Sequence, residues 1–403
     1  MTCRSTTTFL WKALAYAALA SFSACTFDGS NEAADDGDGG SILPGDVDAN
    51  DTPGGSDAEP GCAFSLATLC ELAEPDGDLN FSNGEVIDTD NDVRCRDLEQ
   101  EGGPQACLLW GSSVSVDSGV GITAVGNRPL VVASATTISI SGTVDASSQR
   151  GGQLGAGANF NECALASGPQ RDVGGAGGAA GGSFAARAGD GGVGDQDESL
   201  GFDSEGAPGT AGSSVGRPAF LRGGCPGGNG ADESASRFSG SGGSRGSSGG
   251  ALAFYAATSF SLEASGRIRV TGGGGGGGEV QAGGGGGGSG GMLLIEGGTA
   301  VAISGVLGAN GGAGGEGGVR PFFGPTDGQD GSDGALSPSG ALGGTGLDNA
   351  GDGGVGSSLA TLRGGGGEDA DGGGGGGGGS AGFIILRGAV TINGSTSPAA
   401  LVE

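Results

Sequence analysis

The side chains of this sequence that could do chemistry are carboxylates, guanidiniums and thiols. Its 403 residues include 46 Asp and Glu against 17 Lys and Arg, no His, and a net charge of −29. The one lysine is Lys12. Without His there is no Ser-His or Cys-His pair and no imidazole metal ligand, and without a lysine beyond Lys12 there is no P-loop and no Schiff base. Nucleic acid is excluded as a partner, since phosphate binding draws on clustered Lys and Arg and the field here is strongly negative. Polyglycine matches GxGxxG trivially, but no match stands between a strand and a helix, so no nucleotide site is expected. Carboxylate and guanidinium chemistry remains, as a carbohydrate-active lyase or hydrolase would use it, and Arg267, Arg269, Glu263 and Glu296 are its candidates. Such a site needs two or more acids facing one another on neighbouring strands. The outward positions next to these charges are instead Ser139, Ser261, Ala302 and Thr391, and 2 Trp and 2 Tyr make aromatic platforms scarce. No catalytic residue is therefore assigned. The run Asp88-Thr89-Asp90-Asn91-Asp92 with Glu99 fits the first, third, fifth and twelfth positions of a calcium loop. Its sixth position is Val93, where the sharp turn requires Gly, and Cys95 lies inside it, so a solvated acidic turn is expected and no metal or cofactor is assigned.

The thiols sort by compartment. Residues 1–24 carry no acid, the basic residues Arg4 and Lys12, and an apolar run over 13–20 that is too short to cross a bilayer; they read as a signal peptide. Phe22-Ser23-Ala24-Cys25 resembles the lipobox of bacterial lipoproteins, with Phe22 where Leu is usual. The resemblance implies that Cys25 becomes the lipidated first residue of the mature chain. Cleavage after Ala18-Leu19-Ala20 would instead release a secreted protein. Cysteine parity favours the anchor. With Cys3 removed and Cys25 lipidated, Cys62, Cys70, Cys95, Cys107, Cys163 and Cys225 remain, an even set that pairs fully in an oxidising compartment. A zinc site is the alternative, but the set contains no CxxC pair. Three disulfides of open connectivity are expected.

The elements that position these groups fall into four stretches: a leader over 1–24, a tether over 25–60, a Cys-containing cap over 61–104, and the remainder over 105–403. The tether carries ten acids in residues 26–60 and few large apolar residues, so it cannot bury enough surface to fold. The remainder is dominated by glycine. Of 101 glycines only 17 precede residue 148, and residues 272–278 and 372–379 are glycine throughout. Composition of this kind alone predicts flexible chain, because Gly loses the most entropy on ordering and brings no side chain to pack.

Apolar islands argue for order. Islands beginning at Pro129, Ala251 and Met292 each reach a second apolar pair, Ile138/Ile140, Phe260/Leu262 and Val301/Ile303, then a Ser-Gly turn and a third pair. A fourth copy, Phe383-Ile-Ile-Leu with Val390/Ile392, is shorter by two residues, and a weaker one begins at Leu108. Five copies of three short alternating strands form an internal repeat. The expected fold is all-β, a parallel β-helix (β-solenoid) of about five coils with Gly-rich loop insertions at 148–250, 273–291 and 311–382. Leu130, Leu252, Leu293 and Ile384 would form one inward row, and Ile138, Phe260, Val301 and Val390 another. Val131, Ala253, Leu294 and Ile385, on the other face of the first strand, are apolar too, so something should cover that face.

Leader, acidic tether, Cys-containing cap, and the run from Ile122 to Ser148 leading into Gly155–Cys163 and glycine-rich repeats together resemble the glycine-rich, PE-PGRS-like surface lipoproteins of myxobacteria. The helical amino-terminal module of true PE-PGRS proteins is absent. The resemblance implies a surface location and carries no activity or site. The expected function is a non-catalytic, lipid-anchored cell-envelope protein at the outer membrane or cell surface, serving adhesion, matrix contact or surface coating. Its partners would be the membrane, through the anchor, and envelope or matrix polysaccharide or a surface protein. The alternative is the carbohydrate-active enzyme considered above.

Overall fold

The apolar islands become strands because their β-branched and aromatic residues alternate with small ones and end at Gly-containing turns. The computed structural model describes residues 63–64, 67–68, 74–75, 77–164, 166–195, 205–234, 240–320 and 326–403. The expected leader, Cys25 and the rest of the tether, Cys62 and Cys70 lie outside the described residues. Strands β1 (Ala63–Phe64) and β2 (Ala67–Thr68) pair antiparallel with each other. Next come β3 (Leu79–Phe81), β4 (Glu85–Asp88) and β5 (Arg96–Leu98). The first two repeat copies supply β6 (Ala106–Gly111), β7 (Val114–Val116), β8 (Gly121–Val125), β9 (Leu130–Ser134), β10 (Thr137–Ile140) and β11 (Thr143–Asp145). The third and fourth supply β12 (Ala251–Ala256), β13 (Ser259–Leu262), β14 (Arg267–Arg269), β15 (Met292–Gly297), β16 (Ala300–Ile303) and β17 (Val306–Gly308). The chain closes with β18 (Phe383–Arg387), β19 (Val390–Ile392), β20 (Ser395–Ser397) and β21 (Leu401–Val402).

These strands correct the expected β-helix of about five coils. They form three separate open sheets: seven strands in the order β21-β18-β15-β12-β9-β6-β5 (sheet I), six in the order β19-β16-β13-β10-β7-β3 (sheet II), and six in the order β20-β17-β14-β11-β8-β4 (sheet III). Two features of the cap and tail break the simple repeat. Arg96–Leu98 enters sheet I antiparallel to β6, and β3, β4 and β21 add strands whose sequences lack the apolar signature of the islands. The pairing inside the sheets follows the alignment of the islands. Leu252 lies between Leu130 and Leu293, Leu293 beside Ile384, and Phe260 between Ile138 and Val301. Those inward rows meet Ile122, Val144, Ile268 and Leu307 of sheet III in one apolar core.

The Gly-rich segments are not projecting loops, which is the second correction. They pack as extended threefold helices of polyproline II type, recognised by hydrogen bonds that return to the same neighbour every third residue. Residues 283–291 show the arrangement. Gly284, Gly287 and Gly290 donate to the carbonyls of Gly374, Gly377 and Ser380; Gly285, Gly288 and Gly291 donate to Gly276, Gly273 and Val270; Gly283, Gly286 and Ser289 donate to Ala231, Gly228 and Cys225. Their own carbonyls accept from three further segments, at Ala179 and Gly182, at Gly243, Gly246 and Gly249, and at Gly312 and Gly315. Six backbone neighbours leave no direction for a side chain. A Cβ on Gly285, Gly286 or Gly287 would lie 2.1, 2.0 or 2.2 Å from the carbonyl oxygen of Ser244, Ala180 or Gly312. The pure glycine runs are thus the enclosed segments of a backbone-packed layer. At its margin carboxylates finish the bonding: Asp333 and Asp330 accept from the N–H groups of Gly274 and Gly277, each at 2.9 Å, and Asp369 from Val193 at 2.7 Å.

Sheet I joins the two bodies. Its outer row of Leu108, Val131, Ala253, Leu294 and Ile385 packs against Phe184, Leu221 and Cys225 of the glycine-rich part, so Leu294 is buried on the side away from the main core. Each Val, Leu, Ile or Phe side chain buried there contributes about 1.5–3 kcal/mol of transfer free energy. Disulfides link Cys95 to Cys107 and Cys163 to Cys225. The first ties β5 and β6 together near their pairing, and the second closes a loop of 62 residues in the cover of sheet I.

Candidate contact surface

Sheet II keeps one face in the core and turns the other outward. Strict alternation puts Val114 and Val116, Ile138 and Ile140, Phe260 and Leu262, and Val301 and Ile303 inside. Outside lies a row of Asn80, Ser115, Ser139, Ser261, Ala302 and Thr391, each beside the next across the parallel ladder. Thr137, Ser259 and Ala300 form a second row. Neighbouring strands stand about 4.8 Å apart, so the hydroxyls repeat at that interval. Neither row contains a charge, although the chain as a whole carries −29. The Ser115 hydroxyl donates to Asn80 Oδ1 at 2.8 Å, and Ser261 to Glu263 Oε1 at 2.6 Å. At the turns the hydroxyls of Thr136, Ser265 and Thr299 donate to the carbonyls of Ser112, Ser141 and Thr258 on neighbouring copies. Successive strands are thereby held in step, and the outer face stays regular.

The four charges that could have formed a sugar-cleaving site are not brought together. Arg267 and Arg269 lie in β14 of sheet III. Arg269 pairs with Asp145 at 2.6 Å, and Arg267 donates to the Ser265 carbonyl at 3.0 Å. Glu263 sits in the turn after β13 and accepts from Ser261. Glu296 belongs to β15 on sheet I, in register with Tyr255 and Arg387. There Arg387 lies 3.7 Å from Glu296 and 2.9 Å from Glu403, which also pairs with Arg217. Burial pushes the Tyr255 hydroxyl up, and the charge of Glu296 adds to the effect. This row of Tyr255, Glu296 and Arg387 escapes the sequence reading. Extending the island alignment three positions past Leu252, Leu293 and Ile384 would have found it.

The acidic turn of the cap is likewise divided among separate partners. Asp88 accepts from the side chain of Asn91 at 2.8 Å and the N–H of Asp90 at 3.0 Å, bonds that hold its carboxyl below the usual range. Asp90 accepts from Asn127, and Asp92 from Arg94 at 2.6 Å, which lowers the Asp92 carboxyl too. Arg94 also reaches Glu85 at 2.7 Å. Among the described residues no group of three or more acidic or Cys side chains is placed to hold a metal ion. Clefts open beside the faces, one of about 330 Å³ at Asp78, Arg96 and Trp110 and one of about 360 Å³ at Leu342, Val355 and Arg363. Neither contains two facing carboxylates.

Comparison with known proteins finds no matching family model, no matching curated protein and no matching solved structure. The likeness to glycine-rich surface lipoproteins rests on the sequence motifs, and function is argued from the surface.

Proposed function

We propose that this chain is a non-catalytic protein of the cell envelope, anchored through a lipid on Cys25, whose rigid body serves adhesion, matrix contact or surface coating. The observation that carries this reading is the outer face of sheet II, whose row of Asn80, Ser115, Ser139, Ser261, Ala302 and Thr391 contains no charged residue, on a protein of net charge −29. A neutral hydroxylated polymer meets no repulsion there, whereas the acidic remainder of the surface keeps anionic partners away. Rigidity supports the same reading, because a contact surface that is already ordered loses little entropy on binding. The separate pairing of Arg269, Glu263, Glu296 and Asp92 adds support, since those charges hold structure instead of converging on a substrate.

The test is a sedimentation and array assay of the membrane-extracted protein against neutral and acidic envelope and matrix polysaccharides. Binding to a neutral polymer, reduced at least tenfold in the Ser139→Lys, Ser261→Lys double variant, is expected. Unchanged binding in that variant, or release of new reducing or unsaturated ends from the polymer, refutes the reading. Intact mass should show a diacylglyceryl addition at Cys25, and a soluble species beginning at Ser21 refutes the anchor.

A further inference from the structure

Arg222 is 2% exposed, and among the described residues no carboxylate forms a salt bridge with it. Its guanidinium is held by other means. It stacks over the Phe160 ring at 4.5 Å and the Phe184 ring at 5.2 Å, and donates to the Glu162 carbonyl at 2.8 Å and the Gly223 carbonyl at 3.1 Å. Its Nη2 then points at the disulfide, 3.3 Å from Cys163 Sγ and 3.6 Å from Cys225 Sγ. A buried cation is costly: burial lowers the Arg222 pKa to about 10, and the charge of Glu162 works in the opposite direction. The group beside it that could become an anion is the sulfur pair. The two sulfurs differ in access: Cys225 is 2% exposed, while Cys163 is half-buried on a segment whose neighbours Asn161 and Glu162 are exposed.

We infer that Cys163–Cys225 is a thiol–disulfide exchange site for low-molecular-weight thiols, with Cys163 as the sulfur attacked and Cys225 as the leaving thiolate received by Arg222. An external thiolate attacks Cys163 Sγ along the S–S axis, the new sulfur–sulfur bond forms, and the old bond breaks with its electron pair on Cys225. Arg222 stabilises that thiolate, as a neighbouring cation lowers a thiol pKa. A second thiol, deprotonated to water, attacks the external sulfur of the mixed disulfide and releases Cys163. Two external thiols are thereby oxidised to one disulfide while one protein disulfide is reduced to two thiols. The consequence lies in the cover of sheet I, because Cys225 packs there beside Phe184 and Leu221, and reduction frees the 62-residue loop that the bond closes. Cys95–Cys107 is the reference bond within the same molecule, since Cys107 is fully buried in the apolar core.

The test equilibrates the full chain with graded ratios of reduced to oxidised glutathione and quantifies each cysteine by differential alkylation and peptide mass analysis. In the wild-type chain Cys163–Cys225 should open at a thiol ratio at least tenfold lower than Cys95–Cys107, and trapped glutathione should sit on Cys163. Arg222→Met should move the Cys163–Cys225 midpoint at least tenfold toward the oxidised form and leave the reference bond unmoved, while Arg222→Lys keeps most of the wild-type behaviour. Joint opening of the two bonds, glutathione on Cys225, or an Arg222→Met midpoint equal to wild type overturns the inference. The wild-type arms stand without any variant, so a variant that fails to fold does not rescue the idea.

Discussion

Replacing Gly286 by Ala tests whether the glycine layer is a packed body. The added Cβ would lie 2.0 Å from the Ala180 carbonyl oxygen and 2.5 Å from its carbon. Ordinary contact begins near about 3.5 Å, so the two segments must separate by about 1.5 Å. The oxygen that has to move already accepts from Gly228 N–H at 2.9 Å, and the adjoining Ala179 is tied by bonds to Gly284 and Gly377. Losing or stretching two or three such bonds costs about 0.5–1.5 kcal/mol each, and forced separation of a packed interior adds about 1–3 kcal/mol. Against that, Ala stiffens the unfolded chain and returns about 0.4–1 kcal/mol. The net expectation is a loss of about 2–5 kcal/mol. Gly168 and Gly121 are the controls, because a Cβ at either meets nothing within 4 Å. There the same substitution should stabilise by about 0.4–1 kcal/mol. Urea unfolding followed by circular dichroism measures all three variants. Equal stability of Gly286→Ala and Gly168→Ala would refute backbone-to-backbone packing and return the Gly-rich segments to flexible chain.

Leu293→Asp and Leu294→Asp should both abolish cooperative melting or lower it steeply, since each side chain is fully buried, one in the main core and one under Phe184 and Leu221; a Leu294→Asp chain that melts like wild type would show the outer face of sheet I to be bare. Replacing Cys163 and Cys225 together by Ser should cost about 2–5 kcal/mol, with the loss read in the urea midpoint, and an unchanged midpoint would mean that the bond does not hold the cover. Arg94 holds the Asp92 carboxyl below its unfolded value, so that pair contributes stability above about pH 4 that is lost as pH falls through the lowered folded value. Asp92→Asn should therefore flatten the acid limb of the stability profile, and an unaltered limb would contradict the assignment.

The strand rows were legible in the sequence, and the bodies built from them were not. Alternation with a period of two states which side of a strand is apolar, so aligning Leu130, Leu252 and Leu293 was enough to predict which residues stand beside one another. The apolar second face at Leu294 likewise announced a cover. What the sequence left undetermined has a physical cause at each place. Arg96–Leu98 carries no apolar pattern to report that it enters sheet I antiparallel, and β3, β4 and β21, only two to four residues long, gave no sign that the sheets run to six and seven strands and stay open. Arg222 did not stand out in the sequence, because its seat between Phe160 and Phe184 joins residues up to 62 positions apart along the chain. The glycine runs are the extreme case. A side chain advertises its environment by its chemistry, but Gly286 has none, and its necessity lies in carbonyls supplied by Ala180, Gly228 and other distant segments. Only the tertiary structure distinguishes a glycine that is free from one that has no room to be anything else.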